Sequence, residues 1–276
     1  MSDLKIEIDK RVNGLKKDFS TIHDTHFVDV NEKIQRQPVC VSIGESIYKQ
    51  KVYPIPFGSY GDYSCIVGSS KSKKTFLKSA IIAGFIGGQS TNYFPNIKGH
   101  HMNDKFIIDI DTEQSKYHSQ RVFKRVCDMV GSNYELYKPF AIRTMSANER
   151  LEFIDWLIME SEYKNNIGLI SIDGYADLVN NFNDLTEATN LQEKLLMWSA
   201  KGKCHITGVL HRNFGTQKPV GHVGSSVLKK AETVVFVEKD ENSTKVTCEY
   251  SRNMPFMEFK FSVNNDWLPC LDEDIF

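Results

Sequence analysis

The chain has 276 residues, 41% of them hydrophobic and 25% charged, with a formal net charge of −1. Those values suit a globular α/β protein with one sizeable core, and they argue against a uniformly basic coat for nucleic acid while leaving room for local basic patches. Six cysteines without a C-x-x-C pair or zinc-like spacing, no apolar leader and no long apolar run predict reduced thiols, a cytoplasmic location and no membrane partner.

Residues 1–50 read as a charged lead-in, in which "DLKIEIDKRVNGLKKDF" has a helical pattern, and residues 51–276 as the main domain. "VYPIPFGSYGDY", with two prolines and two glycines, reads as a connector. From residue 63 short β-branched runs alternate with helical patterns. "YSCIVG", "KFIIDID", "YKPFAIRTM", "IGLISID" and "CHITGVLH" are predicted strands. Between them, "TFLKSAIIAGFIG", "YHSQRVFKRVCDMVG", "NERLEFIDWLIMESEY" and "ATNLQEKLLMWSAKG" are predicted helices. The tail "AETVVFVEKD", "STKVTCEYSR" and "MEFKFSVN" gives three strands with no room for helices between them. The alternation predicts a mostly parallel sheet flanked by helices, with antiparallel strands added at the C-terminal edge. In such a sheet, functional residues gather at the carboxyl ends of the strands.

The stretch Gly68-Ser69-Ser70-Lys71-Ser72-Lys73-Lys74-Thr75 nearly spells the phosphate loop G-x-x-x-x-G-K-[ST], with Lys73 where the second glycine belongs. It follows a strand, and Phe76 leads into an apolar helix, so successive backbone N–H groups and the helix dipole would face an anion. Lys74 would reach the β- and γ-phosphates of ATP, and Thr75 would offer its hydroxyl to Mg2+. Asp173 ends the apolar strand "IGLISID", 99 residues after Lys74, where a carboxylate would hold the same Mg2+. An exposed basic turn is the competing reading of the loop.

With these two elements in place, the chain resembles the RecA-like P-loop ATPases, and within them the hexameric-helicase branch related to DnaB and to the small plasmid helicase RepA. That branch includes phage- and mobile-element ATPases whose loop reads like "PKSGKT". The resemblance covers roughly residues 50–265. It implies roles for further residues. Glu113 in "DTEQ" stands where the family carries a catalytic glutamate, with Asp111 and Gln114 as lesser candidates. His211, ending "ITGVLH", stands where the family places a γ-phosphate sensor. The Gly-rich loop "RNFGTQKPVGHVGSS", with Arg212, Lys218 and His222, corresponds to the DNA-contacting loop. Arg252 in "CEYSRNMPF" matches an arginine supplied to the neighbouring subunit's site, while Tyr250 replaces the lysine two residues before it.

The resemblance therefore implies an Mg2+-dependent ATPase that assembles as a homo-oligomer, a ring or filament such as a hexamer. Its partner would be single-stranded DNA, and its role that of a helicase or DNA-associated motor in replication or recombination. Two alternatives stay open: a nucleotide-binding regulatory or assembly protein with slow or no hydrolysis, which Lys73 favours, and another phosphoryl-transfer enzyme built on a P-loop sheet.

Overall fold

The computed structural model describes residues 19–101, 103–212 and 221–272. The chain divides into two compact units, Met1–Arg36 and Gln37–Phe276. The described part of the first contains α1 (Phe19–His26), a short helix with no buried residue. The helix expected over residues 3–19 lies outside the described residues except for Phe19.

The second unit begins with β1 (Val39–Tyr48), β2 (Lys51–Ser59), β3 (Tyr63–Gly68) and α2 (Lys74–Ile86). After β4 (Ile97–Gly99) come β5 (Phe106–Asp111), α3 (Lys116–Val130), β6 (Tyr137–Ala141) and α4 (Ala147–Met159). Then follow β7 (Ile167–Asp173), α5 (Leu185–Gly202), β8 (His205–His211) and α6 (Gly221–Lys230). The chain closes with β9 (Thr233–Asp240), β10 (Ser243–Ser251), β11 (Phe259–Val263) and β12 (Pro269–Leu271).

Nine strands form one sheet in the order β12-β11-β10-β9-β3-β8-β7-β5-β6. From β9 to β6 every pairing is parallel; from β9 outward to β12 every pairing is antiparallel. This is the sheet expected from the alternation of strand and helix patterns. The loop strand β3 and the strand of Asp173, β7, are separated by β8. The carboxyl ends of β3, β8, β7 and β5 therefore lie side by side along one edge of the parallel sheet.

Strand periodicity divides the core. Ile66, Ile107, Leu169 and Val209 pack with α2 and α3 on one face. Cys65, Val67, Ile108, Ile110, Ile170, Ile172, Ile206 and Leu210 pack with α4, α5 and α6 on the other. Helix α2 is buried along nearly its whole length, as its apolar composition requires, because a second sheet covers it from outside. That sheet has the order β2-β1-β4, and its Cys40, Val41, Ile43 and Phe57 join the α2 core. Helix α4 starts with a capping box, in which the Ser146 hydroxyl accepts from the Glu149 N–H and the Glu149 carboxylate accepts from the Ser146 N–H.

Two segments differ from the sequence reading. "VYPIPFGSYGDY" is a strand for most of its length rather than a connector, because β2 is an edge strand paired only with β1, and an edge tolerates Pro54 and Pro56. The lead-in is also shorter in structure: β1 lies within residues 39–48 and belongs to the second unit. The six cysteines are all unpaired. Among the described residues, no helix is long and apolar enough to cross a membrane.

Candidate nucleotide site

The loop between β3 and α2 leaves the sheet after Gly68, the last residue of β3. A Cβ there would come within 2.4 Å of the Val237 carbonyl and 2.5 Å of the Ser72 hydroxyl, so no larger residue fits. Lys71 and Lys73 both take left-handed backbone conformations, with φ of 62° and 66°. Lys73 thus holds the conformation that the missing glycine would adopt freely, and its side chain does not prevent the turn. The first turn of α2 has no side-chain cap, so its leading N–H groups are left for an anion.

Lys74 is almost fully buried, and its ammonium donates to the Gly68 carbonyl at 2.9 Å and the Ser69 carbonyl at 2.6 Å. Burial pushes its pKa down to about 8, against the pull of Asp173 and Glu113. The next residue, Thr75, donates its hydroxyl to Asp173 Oδ2 at 3.1 Å. Burial raises the Asp173 carboxyl above its ordinary range, Lys78 opposes the rise, and Asp111 adds to it.

Register explains the convergence. Gly68 pairs with His211 across β3 and β8, Asp111 pairs with Asp173 across β5 and β7, and Asp173 pairs with Val209, two residues before His211, so β3 and β8 reach two residues beyond the ends of β5 and β7 on the same side of the sheet. His211 Nδ1 lies 3.4 Å from Lys74 Nζ, and its Nε2 lies 3.8 Å from Glu113 Oε2. Pairing with the His211 ring holds the Glu113 carboxyl below its ordinary range. Asp111 fixes the turn before α3, since its Oδ1 accepts the N–H of Glu113 at 3.0 Å and of Gln114 at 2.8 Å. Thr112 ties the two strand ends together: its hydroxyl donates to the Asp173 carbonyl at 2.7 Å and accepts from the Gly174 N–H at 2.9 Å.

These groups line a cavity of about 610 Å³ that contains loop residues 70–75, Glu113, Gln114, Asp173 and His211. Its remaining wall was not anticipated from the sequence. Arg125 of α3 stacks 3.8 Å over the Phe76 ring, and Trp267, from the turn between β11 and β12, adds a largely exposed indole. Also unforeseen is Lys78, one turn below Lys74, whose ammonium is fully buried at 3.0 Å from Asp109 and 3.6 Å from Asp173.

Other expected residues lie elsewhere. Arg212 borders the site through its N–H to the Gly68 carbonyl, but its guanidinium is paired with Glu238 at 2.7 Å. Lys218 lies outside the described residues. His222 is an exposed residue in the first turn of α6; residues 221–226, read as part of a loop, are helical. Arg252 follows β10 at the opposite end of the sheet, since Ser251 pairs with Thr233, and Thr233 with Ser64 at the start of β3. There it is half-exposed and pairs with Asp62 at 3.0 Å.

No protein-family model matches the chain, and no curated protein does. Among solved structures, the RadB recombinase superposes with a TM-score of 0.52 at 16% identity, over 77% of this chain and 91% of that one. The chain has the RecA-like fold. At that identity the likeness is one of architecture. The RecA-like core supplies the strand order and the helix-capped loop, and the side chains at the strand ends are this chain's own.

Proposed function

We propose that this RecA-like core binds ATP together with Mg2+ and hydrolyses it. The observation that carries the reading is the convergence of Lys74, Thr75, Asp173, Glu113 and His211 on one cavity at a helix N-terminus. The donor set fits Mg2+: a hydroxyl and a carboxylate already in contact, and close by on the paired strand the buried Asp111 Oδ2, which has no hydrogen-bond partner. Hard oxygen donors of this kind suit a small divalent cation.

Thr75 and Asp173 would hold the ion, which supplies charge neutralisation at the β- and γ-phosphates. The amides of residues 69–75 and the Lys74 ammonium bind and orient the phosphates. Phe76, Arg125 and Trp267 offer a flat, partly apolar wall for the base. Glu113 accepts the proton of the attacking water, and its contact with His211 connects that carboxylate to Lys74. Glu113→Gln should retain ATP binding and lose hydrolysis by about 100-fold or more. Unchanged turnover in that variant would remove Glu113 from the mechanism.

The finer reading is a homo-oligomer, a ring or filament, in which Arg252 of one subunit serves the site of the next, acting on single-stranded DNA as a motor or recombination ATPase of the helicase branch. What supports it is the placement of Arg252 at the end of the sheet opposite the site and the likeness in fold to the RadB recombinase. The second reading, a nucleotide-dependent regulatory protein with slow turnover, is favoured by the Lys74 ammonium drawn back onto loop carbonyls and by Arg252 held by Asp62. Stimulation of hydrolysis by single-stranded DNA separates the two: stimulation supports the motor, and ATP binding without stimulated turnover supports the regulator.

A further inference from the structure

Helix α2 presents a run of apolar residues to the core, interrupted by the buried Lys78 and Ser79, and of these Lys78 carries a charge. Lys78 is completely buried. It follows Lys74 by four residues, so the two ammonium groups lie on one stripe of the helix, the second beneath the first. Strand parity explains what Lys78 meets. Asp109 and Asp111 alternate with Ile108 and Ile110, which face the other side of the sheet, so both carboxylates face α2.

The contacts of Lys78 are unequal. Asp109 is its close partner at 3.0 Å, and the other Asp109 oxygen accepts the Tyr137 hydroxyl at 2.7 Å. That pairing alone would compensate a buried lysine. The second contact, 3.6 Å to Asp173 Oδ2, involves the same oxygen that accepts the Thr75 hydroxyl. A buried ammonium therefore shares one carboxylate oxygen with the group assigned to Mg2+.

We propose that Lys78 is a positioning residue that serves as an internal counter-ion to Asp173, holding that carboxylate against Thr75 when no metal is bound and setting the Mg2+ concentration that nucleotide binding requires. The proposal rests on the nucleotide reading of the site. Lys78 keeps Asp173 oriented, and its positive charge repels a cation that approaches the same oxygen. With Asp173 engaged by a cation, Lys78 would keep Asp109 as its partner, whose carboxylate is fixed by Tyr137. Site order in the metal-free protein is thereby gained at the expense of metal affinity.

The test uses the full chain and a fluorescently labelled ATP, titrated with Mg2+, and reads the Mg2+ concentration at half-maximal binding together with the melting temperature without Mg2+. Lys78→Met combined with Asp109→Asn removes both charges of the buried pair and keeps a hydrogen-bond partner for Tyr137. It should lower the half-saturating Mg2+ by about fivefold or more, because the repelling charge is gone. Asp109→Asn alone leaves Lys78 with Asp173 as its main counter-ion and should raise it by a similar factor. Opposite displacements of the two variants support the proposal. Midpoints within about twofold of the parent in both, whatever their melting temperatures, overturn it and leave Lys78 a structural ion pair. A parent that binds no labelled ATP at any Mg2+ concentration overturns the nucleotide reading itself, a result distinct from equal midpoints.

Discussion

The hydroxyl of Thr75 and the carboxylate of Asp173, 98 residues apart in sequence, meet at 3.1 Å. One belongs to the first turn of a helix and the other to the last position of a strand two places away in the sheet. Their meeting joins the loop that follows β3 to the end of β7.

Lys73 sits at φ 66° and ψ 25°, a left-handed conformation that costs a residue with a side chain about 1–2 kcal/mol. Glycine removes that cost but adds about 0.5–1 kcal/mol of chain entropy in the unfolded state. Lys73→Gly should therefore leave stability equal or raise it by up to about 1.5 kcal/mol in urea unfolding. It should also bind ATP at least as well as the parent. A large loss of affinity would give the Lys73 side chain a role of its own at the phosphates.

Arg252 bonds to Asp62 at one pole of the sheet while the site lies at the other. If it serves a neighbouring subunit, Arg252→Ala should bind ATP and hydrolyse it at least about tenfold more slowly. Mixing it with Glu113→Gln subunits should restore part of the activity, since some interfaces then combine an intact glutamate with an intact arginine. Additive, unrestored rates would place the action of Arg252 within one chain.

His205 is fully buried, with Nδ1 3.0 Å from the Ser59 carbonyl and Nε2 2.9 Å from the Ser64 hydroxyl. The carbonyl can only accept, so Nδ1 carries the proton and Nε2 accepts from Ser64. Burial lowers the pKa of this ring, partly opposed by the Glu232 carboxylate. The unfolded chain takes up a proton near pH 6.5 while the native state resists it, so stability from this group is complete above that pH and declines below it. The decline approaches about 1.4 kcal/mol per pH unit for one proton. Urea unfolding between pH 7 and 5 should show this component in the parent and lose it in His205→Gln. An identical slope in both would mean that the buried ring is not its source.

What the sequence disclosed and what it hid follow from the range of the interactions. Lys74 and Thr75 were legible because a strand, a turn and a helix start fix their spacing locally, and Asp173 because a carboxylate closes an apolar strand. Glu113 and His211 were legible through family resemblance, and their approach depends on the register that sets Gly68 beside His211. Lys78 was not, because one lysine in an apolar helix reads as a solvated position until Asp109 on β5 is known to lie beneath it. Trp267 was missed for a similar reason: it belongs to a short turn near the chain end, and only the antiparallel pairing of β11 and β12 returns it to the loop. The prolines of β2 concealed a strand because propensity does not distinguish an edge from a sheet centre.

The central claim is that the amides of the bent loop and the Lys74 ammonium hold a triphosphate whose Mg2+ is held by Asp173. Its most direct test is equilibrium binding of labelled ATP in the presence of Mg2+, for the parent, Lys74→Ala and Asp173→Asn. The account predicts saturable binding by the parent, at least about tenfold weaker binding by Lys74→Ala, and loss of the Mg2+ dependence in Asp173→Asn, with melting temperatures confirming that both variants fold. Undiminished affinity in a folded Lys74→Ala, or no binding by the parent, would contradict it.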